Sequence, residues 1–290
     1  MAKIKLIYHE RATWEKDYIK ELFNVIDYDI LTLESISYDD PTIINNCILI
    51  FTSNIYTYAD ILCIILSIKP IIIVHLSDEN GNRIEYTNLA KYTKLLLHQY
   101  RFNLYIHKYN MYNNIIQIPL GYMVDMFSGK KAFNYNRKPL SDRKYVWSFV
   151  GAIKQDRQEL IDKFSQKFDD FWVGNNISPQ LMLDIYSDSI FVPNGKGNSV
   201  IDCFRIYEAI LAGSIPIIVC GDDEFKERFY FNNDLPPFVY EKTWDLAVKK
   251  CDYLLNNPVE LENINHQCYT WLQNKIKSIQ QAICNICNLN

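Results

Sequence analysis

The stretch Ile190–Val219 constrains this chain more than any other. Its body, FVPNGKGNSVIDCFRIYEAILAGSIPIIV, reads as strand, glycine-rich loop, helix, glycine stop and second strand. The chain has only nine glycines, and Gly195, Gly197, Gly213 and Gly221 sit in this stretch or at its edge. Such clustering marks backbone that must turn tightly or approach a ligand closely. Phe191-Val192-Pro193 ends an apolar run, and Asn194–Asn198 is a turn. Ser199 is expected to cap the following helix, with Asp202 three residues on. Gly213 stops that helix, and Ile215–Val219 is a second buried strand.

The helix carries chemistry as well as packing. Arg205 and Glu208 stand three apart, with Ile201 and Ala212 on the same side, so they share a face. A glycine-rich loop feeding a helix N-terminus offers free N–H groups and a positive dipole end. Lys196 adds charge at the loop tip, and Arg205 adds a planar fork suited to phosphate. Glu208, deeper in, suits the hydroxyls of a ribose. These residues together read as a cradle for a nucleoside diphosphate. The alternative on spacing alone is an ordinary βαβ unit with Arg205 and Glu208 in a surface ion pair.

In order and spacing, Pro193, Gly195-Lys196-Gly197, Phe204-Arg205, Glu208-Ala209, Gly213, Pro216 and Ile217 resemble the donor-binding signature of exostosin-type (GT47-like) glycosyltransferases. Upstream, Ser148-Phe149-Val150-Gly151 followed by Arg157 is similar to that family's strand, glycine and helix with an arginine facing the diphosphate. The two matches span roughly residues 145–225, about a quarter of the chain. Lys196 stands where relatives often carry arginine, a departure that weakens bidentate phosphate contact. His75-Leu76-Ser77-Asp78-Glu79 and Ile118-Pro119-Leu120-Gly121-Tyr122 are similar to segments of short exostosin-like proteins.

The resemblance implies a GT-B-like α/β fold, two Rossmann-like domains with a cleft between them. The expected division is an acceptor-side domain over 1–135, a nucleotide-sugar domain over 136–260, and a helical segment over 261–290 packing back on the first. It further implies inverting, metal-independent transfer from a UDP-sugar to a hydroxyl of an oligosaccharide or glycoprotein glycan. UDP-xylose is the first expectation for the donor, and a uronic acid donor would draw on Lys154. No cofactor is expected. Donor binding would fall to Gly151, Arg157, Asn194, Gly195, Lys196, Gly197, Ser199, Arg205 and Glu208. An inverting displacement needs a base, which the resemblance assigns to the N-terminal half. Asp78, Glu79 and His75 gather where the strand Ile71–Leu76 ends, and strand ends in α/β folds carry the ligands. Asp78 leads this set. His75 lies inside the strand and reads equally as a core histidine, and His98 and His9 rank lower.

Composition narrows the function classes. The chain has 290 residues, 49% hydrophobic and 22% charged, with a net charge of −4. That balance argues against general nucleic-acid binding, which needs a basic footprint. Eight cysteines at 47, 63, 203, 220, 251, 268, 284 and 287 lie in apolar or helical contexts and read as reduced, buried thiols. Cys284-x-x-Cys287 lacks the further ligands of a zinc site and reads as one face of a terminal helix. The longest apolar run, Ile61–Leu76, is broken by Lys69-Pro70 and is too short to span a bilayer. With no secretory pattern at the start, a soluble, cytoplasmic protein without a transmembrane segment is expected.

Other motifs are weaker. Asp27-Tyr28-Asp29 matches the metal-binding string of a GT-A transferase but precedes a short strand, and Asp222-Asp223 reads as the start of a helix at Phe225. There is no Gly-x-Gly-x-x-Gly fingerprint, and Gly195-Lys196-Gly197 lacks the remaining parts of a P-loop. A metal-dependent transferase and a non-catalytic nucleotide-sugar or carbohydrate-binding module remain the rival readings.

The apolar pattern predicts strands at Lys3–Tyr8, Ile30–Leu33, Cys47–Phe51, Pro70–Leu76, Leu104–Ile106, Ile115–Ile118, Val146–Val150 and Phe171–Val173. Helices are expected at Trp14–Val25, Asn88–Leu97, Asp156–Lys167, Pro179–Asp188, Phe225–Tyr230, Trp244–Leu255 and Glu260–Leu289, with Asp60–Ile68 open to either state. The polar, basic stretch Ser128–Lys144 reads as the inter-domain connection. Unbroken apolar strands alternating with helices indicate parallel sheets covered on both faces.

Overall fold

Parallel strands buried on both faces dominate the structure, a computed structural model that describes residues 3–9, 14–52, 57–81, 84–101, 111–230 and 234–288. The chain divides into two compact units. The first comprises Met1–Pro119 and Ile276–Asn290, the second Leu120–Lys275.

In chain order the first unit holds β1 (Ile4–Tyr8), α1 (Lys16–Phe23), β2 (Tyr28–Thr32), β3 (Cys47–Thr52), α2 (Tyr58–Ile68), β4 (Ile72–Leu76), β5 (Leu95–His98) and β6 (Ile115–Gln117). All its strands pair in parallel, in the order β2-β1-β3-β4-β5-β6. The segment 58–68 resolves as a helix for two reasons. Ile61, Ile64, Ile65 and Ile68 are buried along one helical stripe. Thr57 and Asp60 also form a reciprocal capping box, with Asp60 N–H donating to Thr57 Oγ1 at 3.2 Å and Thr57 N–H to Asp60 Oδ2 at 3.1 Å. The expected helix Asn88–Leu97 instead ends as a 3₁₀ segment at Tyr92. Leu95, Leu96 and Leu97 are all buried, because a strand inside a parallel sheet is covered on both faces. Helix α1 is shorter than the spacing predicted: Tyr18 and Leu22 are buried, but Trp14 and Val25 lie outside it with exposures of 58% and 38%. The predicted strand 104–106 lies outside the described residues.

The second unit continues with β7 (Tyr145–Val150), α3 (Arg157–Lys167), β8 (Phe171–Gly174), α4 (Pro179–Ser187), β9 (Ser189–Asn194), α5 (Phe204–Ala212), β10 (Ile215–Val219), α6 (Asp222–Phe229), β11 (Val239–Glu241), α7 (Trp244–Leu255) and the start of α8 (Pro258–Asn288), whose residues from Ile276 on belong to the first. Its strands are also parallel, in the order β11-β10-β9-β7-β8. Trp147, Phe149, Phe164, Phe191, Ile217 and Trp244 form its centre. Trp147 stacks on Phe171, and Phe164 meets Trp244 edge-on. Gly213 ends α5 in the left-handed region at φ 89°. A side chain there would lie 2.6 Å from the Arg143 guanidinium, which only glycine avoids. The terminal helix is continuous and carries both Cys284 and Cys287. All eight cysteines are free, with Cys63 exposed and Cys203 and Cys284 half-buried rather than interior.

The basic stretch Ser128–Lys144 lies inside the second unit and is bound to it. Leu140 enters the core. Arg143 donates to Ser189 O at 2.6 Å, Ser214 Oγ at 3.1 Å and Tyr186 O at 3.4 Å, and folds its remaining N–H groups onto Lys138 O. Lys138 pairs with Asp188 at 2.5 Å. Composition marked this stretch as a linker, but Arg143 is spent on backbone carbonyls, Lys138 on a carboxylate and Arg137 on the Tyr269 ring. Arg143→Ala strands those acceptors and is expected to cost about 2–4 kcal/mol of unfolding free energy, read by urea denaturation. Arg143→Lys, with one point of donation instead of a fork, is expected to recover less than half of that loss.

Candidate functional site

In an open parallel sheet, ligands bind beyond the carboxyl ends of the strands, where the strand order reverses. In the second unit the reversal falls between β7 and β9, since β7 pairs with β8 on one side and β9 on the other. The two loops leaving these strands carry the residues that the sequence picked out.

Gly151 follows β7 with φ 149°, and its N–H donates to Gly174 O at 2.9 Å. A Cβ there would lie 2.9 Å from Arg205 Nη2 and 3.6 Å from Arg157 Nη1. Arg157 opens α3, is 4% exposed, and donates from Nη1 to Ala152 O at 2.7 Å. Arg205 lies in the first turn of α5 and donates from Nε to Val150 O at 3.0 Å and from Nη1 to Asn194 Oδ1 at 2.9 Å. Among the described residues it forms no ion pair with a carboxylate. The guanidinium carbons of Arg205 and Arg157 stand 4.9 and 5.7 Å from the centre of the buried Phe149 ring. Two like charges over one ring in a dry setting repel each other and attract an anion strongly.

The loop after β9 is held open around them. Asn194 is buried, accepts from Arg205 and donates from Nδ2 to Ile201 O at 2.8 Å. Gly195 lets the chain pass over α3: a Cβ would meet Arg157 Cγ at 2.6 Å and Asp156 Oδ1 at 3.1 Å. Asp156 accepts the Lys196 N–H at 2.9 Å and the Trp244 indole N–H at 3.2 Å. Gly197 N–H closes a turn onto Val200 O at 2.7 Å. Lys154 donates to the Asn198 side chain, and Gln155 donates to Asn198 O at 3.3 Å.

Three readings from the sequence change here. Ser199 does not cap the helix. It is exposed in the loop, and α5 begins only at Phe204, with Cys203 at the N-cap and no side-chain cap bond. The buried Val200, Ile201 and Asp202 hold the chain in the loop until then, and Asp202 accepts from the Tyr207 hydroxyl at 2.9 Å. Ile201 therefore precedes the helix and does not share its face with Arg205. Nor do Arg205 and Glu208 form a surface ion pair, because both are buried.

Glu208 is 2% exposed, and its Oε1 accepts the Met123 N–H at 3.2 Å. Burial pushes its pKa up to about 7, against the pull of the Met123 N–H and Arg205. Tyr186, on α4, is fully buried within the fields of Arg205, Glu208 and Arg157, and burial holds its phenol above the ordinary range. Neither Asp156 nor Tyr186 stood out in the sequence. The first reads as a helix start and the second as a core aromatic, so neither carries a local signal.

In the first unit, His75 is packed rather than presented. It is 1% exposed, stacks on Phe51 at 5.0 Å, and meets Tyr86 and His98 at 4.7 Å each. Asp78 is 4% exposed in the turn after β4, and Glu79 is half-buried beside it. Ser77 adopts the left-handed region at φ 62° and donates its N–H to Gln99 Oε1 at 3.0 Å. Gln99 passes the connection on, from Nε2 to Glu15 Oε1 at 2.6 Å. Glu15, which the sequence did not single out, is 2% exposed, and burial pushes its pKa up to about 8. Asp29 of the Asp-x-Asp string is held by Lys5 at 2.6 Å, and Asp27 by Lys3 at 3.2 Å. Among the described residues no group of three or more His, Cys, Asp or Glu is placed to hold a metal ion. No helix among them is long and apolar enough to cross a membrane.

No protein-family profile matches the chain, and no curated protein does. Solved structures do. An alpha-glucosyltransferase in complex with UDP and a 13-mer DNA containing an HMU base superposes with a TM-score of 0.61 at 10% identity, covering 99% of this chain and 100% of that one. HepE from Anabaena, in complex with UDP and glucose, gives 0.56 at 9% identity, again over 99% and 100%. The fold is GT-B-like α/β.

Two outcomes follow from this geometry. Gly195→Ala forces Arg157 and Asp156 apart and is expected to lower stability by about 1–3 kcal/mol. Gly221→Ala, with open space around its Cβ position, should cost less than about 1 kcal/mol in the same urea titration. Glu15 holds its proton more tightly folded than unfolded, so its stabilisation is complete below its ordinary 4.5 and is lost as pH rises through about 8. Glu15→Gln, which copies the protonated form, should therefore raise Tm at about pH 8.5 and leave it unchanged at about pH 4.5.

Proposed function

We propose that this chain is an inverting, metal-independent glycosyltransferase that moves a sugar from a UDP-sugar to a hydroxyl of a glycan acceptor. The observation that carries the reading is Arg205, a buried guanidinium at the β7/β9 switch point with no ion-paired carboxylate among the described residues and a glycine opposite its Nη2. The fold shared with two proteins solved with UDP supports it. So does the exostosin-like order of the residues around Arg205.

In this reading the diphosphate lies against Arg205, Arg157 and Lys196, where Gly151 and Gly195 let backbone and guanidinium approach it. As the bond from the sugar carbon to the phosphate oxygen breaks, its electron pair leaves on UDP. The two guanidiniums and Lys196 neutralise the charge that builds there. The acceptor oxygen attacks from the opposite face, and its proton passes to a carboxylate. Glu208 holds the ribose: one oxygen is engaged by Met123 N–H, and the other accepts from a ribose hydroxyl. The second unit is then the nucleotide-sugar domain and the first the acceptor side. Xylose is the first sugar to test. One structural neighbour was solved with DNA, so the glycan acceptor rests on the exostosin resemblance.

The deciding experiment is calorimetric titration, with EDTA present, of UDP, UDP-xylose, UDP-glucuronate, UDP-N-acetylglucosamine and a GDP-sugar. Wild type is expected to bind UDP and its sugars in EDTA. Arg205→Ala should weaken UDP by about 100-fold or more, and Glu208→Gln by about tenfold. Absence of binding to every nucleotide would overturn the reading. Binding that appears only after a divalent cation is restored would turn it to the metal-dependent alternative.

A further inference from the structure

Helices of the second unit use their own first side chains as caps where they can. Ser178 Oγ accepts the Leu181 N–H at 3.2 Å at the start of α4, and Thr243 Oγ1 accepts the Leu246 N–H at 3.3 Å at the start of α7. Asp156 holds the same position at the start of α3 and makes no such bond. Aspartate is among the best N-capping residues. The sequence therefore supplies a cap that the fold turns to another use.

The carboxylate reaches across to two other elements. Oδ1 accepts the backbone N–H of Lys196, 40 residues on, at 2.9 Å. Oδ2 accepts the indole N–H of Trp244, 88 residues on, at 3.2 Å. Trp244 opens α7, is 1% exposed and belongs to the core that holds Trp147 and Phe164, so it is a rigid anchor. One side chain thus joins the starts of α3 and α7 to the loop after β9, all within the second unit. In that loop Gly195 passes so close to α3 that a Cβ would meet Arg157 Cγ and Asp156 Oδ1. The bond from Lys196 N–H fastens the loop at that approach.

Charge opposes this placement. A carboxylate next to Arg157 weakens the positive potential that a diphosphate would meet. Asparagine would remove the charge, but its side chain has one oxygen and an NH₂, so it accepts from one of the two N–H groups and turns a donor toward the other. Only a carboxylate satisfies both donors at once.

We propose that Asp156 is a positioning residue of the diphosphate site: it fastens the Gly195-Lys196 backbone to the core through Trp244 and so sets where the Lys196 charge meets the ligand. The inference rests on the donor reading above. Asp156 touches no ligand atom and acts only through the loop that it holds.

The test uses the full chain with Asp156→Asn and Asp156→Ser. Asparagine keeps one acceptor. Serine keeps the means to cap α3 but is too short to reach Lys196. Hydrogen exchange of the Lys196 amide and calorimetric titration of UDP are read where urea curves show each protein fully folded. Asp156→Ser is expected to speed Lys196 exchange about tenfold or more and to weaken UDP about tenfold. Asp156→Asn should lie between it and wild type in both, a partial rescue by the retained oxygen. Loss of a negative charge alone acts with the opposite sign and would make both variants bind UDP more tightly. UDP affinity at or above wild type in Asp156→Ser overturns the proposal, and Asp156→Asn carries the same sign test if the serine variant does not fold. Wild type that binds UDP, with Lys196 exchange unchanged by Asp156→Ser, sinks the anchoring alone. Wild type that binds no nucleotide, with Lys196 exchange faster in Asp156→Ser, sinks the donor reading and the ligand half of the proposal while the anchor stands.

Discussion

Two guanidiniums, of Arg157 and Arg205, stand 5.7 and 4.9 Å from the centre of one buried ring, Phe149, at the point where the second sheet reverses its strand order. Much of the local structure follows from holding them there. Each is tied to the carbonyl of a residue at the end of β7 or just beyond it, so their positions are set by the sheet and not by flexible loops. Gly151 and Gly195 are glycines because a Cβ at either place would occupy the space of an arginine. Asp156 spends its carboxylate on the loop amide of Lys196 and the indole of Trp244. Both donors are neutral, so the carboxylate keeps its charge and is fixed in orientation by them.

Buried acids pull the chain's stability in a direction opposite to that of its buried base. Glu15 and Glu208 keep their protons to about pH 8 and pH 7, so the stability they lend declines as pH rises through those values. Burial lowers His98 to about 4 from its ordinary 6.5, so the unfolded chain takes up a proton that the folded one refuses. Stability from that group declines as pH falls from 6.5 toward 4. The ends of the pH range are therefore unfavourable for different reasons, one in each kind of buried group. Glu15 precedes its helix and accepts from the Gln99 side chain, and Glu208, in mid-helix, accepts from the Met123 backbone N–H.

The grouping of Gly151, Arg157, Gly195 and Arg205 was legible in the sequence because its parts are local. Glycine, arginine and glutamate spacing within 30 residues survives as geometry when the intervening helix is regular. The exception is Ser199, whose capping role failed because Val200 and Ile201 are drawn into the core and delay the helix by several residues. The surroundings of β4 were less legible. A run such as Ile71–Leu76 announces a buried strand, but nothing in it says which of its neighbours flanks the reversal. Glu15 was invisible for the same reason: its partner Gln99 is 84 residues away, and its burial depends on β4 and β5. The stretch Ser128–Lys144 misled because composition counts charges without counting the carbonyls, carboxylate and rings that Arg143, Lys138 and Arg137 meet in the fold.

By itself the sequence determined the alternation of buried strands and helices and the glycine stop at Gly213, because apolar periodicity and φ preference act over a few residues. Strand order, and with it the location of both switch points, was decided only in the tertiary structure. So were the burial of Glu15, Glu208 and Arg205, the packing of His75 and the pinning of Arg143. Those properties arise from hydrogen bonds and desolvation between residues tens of positions apart, where the chain's own pattern holds no record of who its neighbours will be.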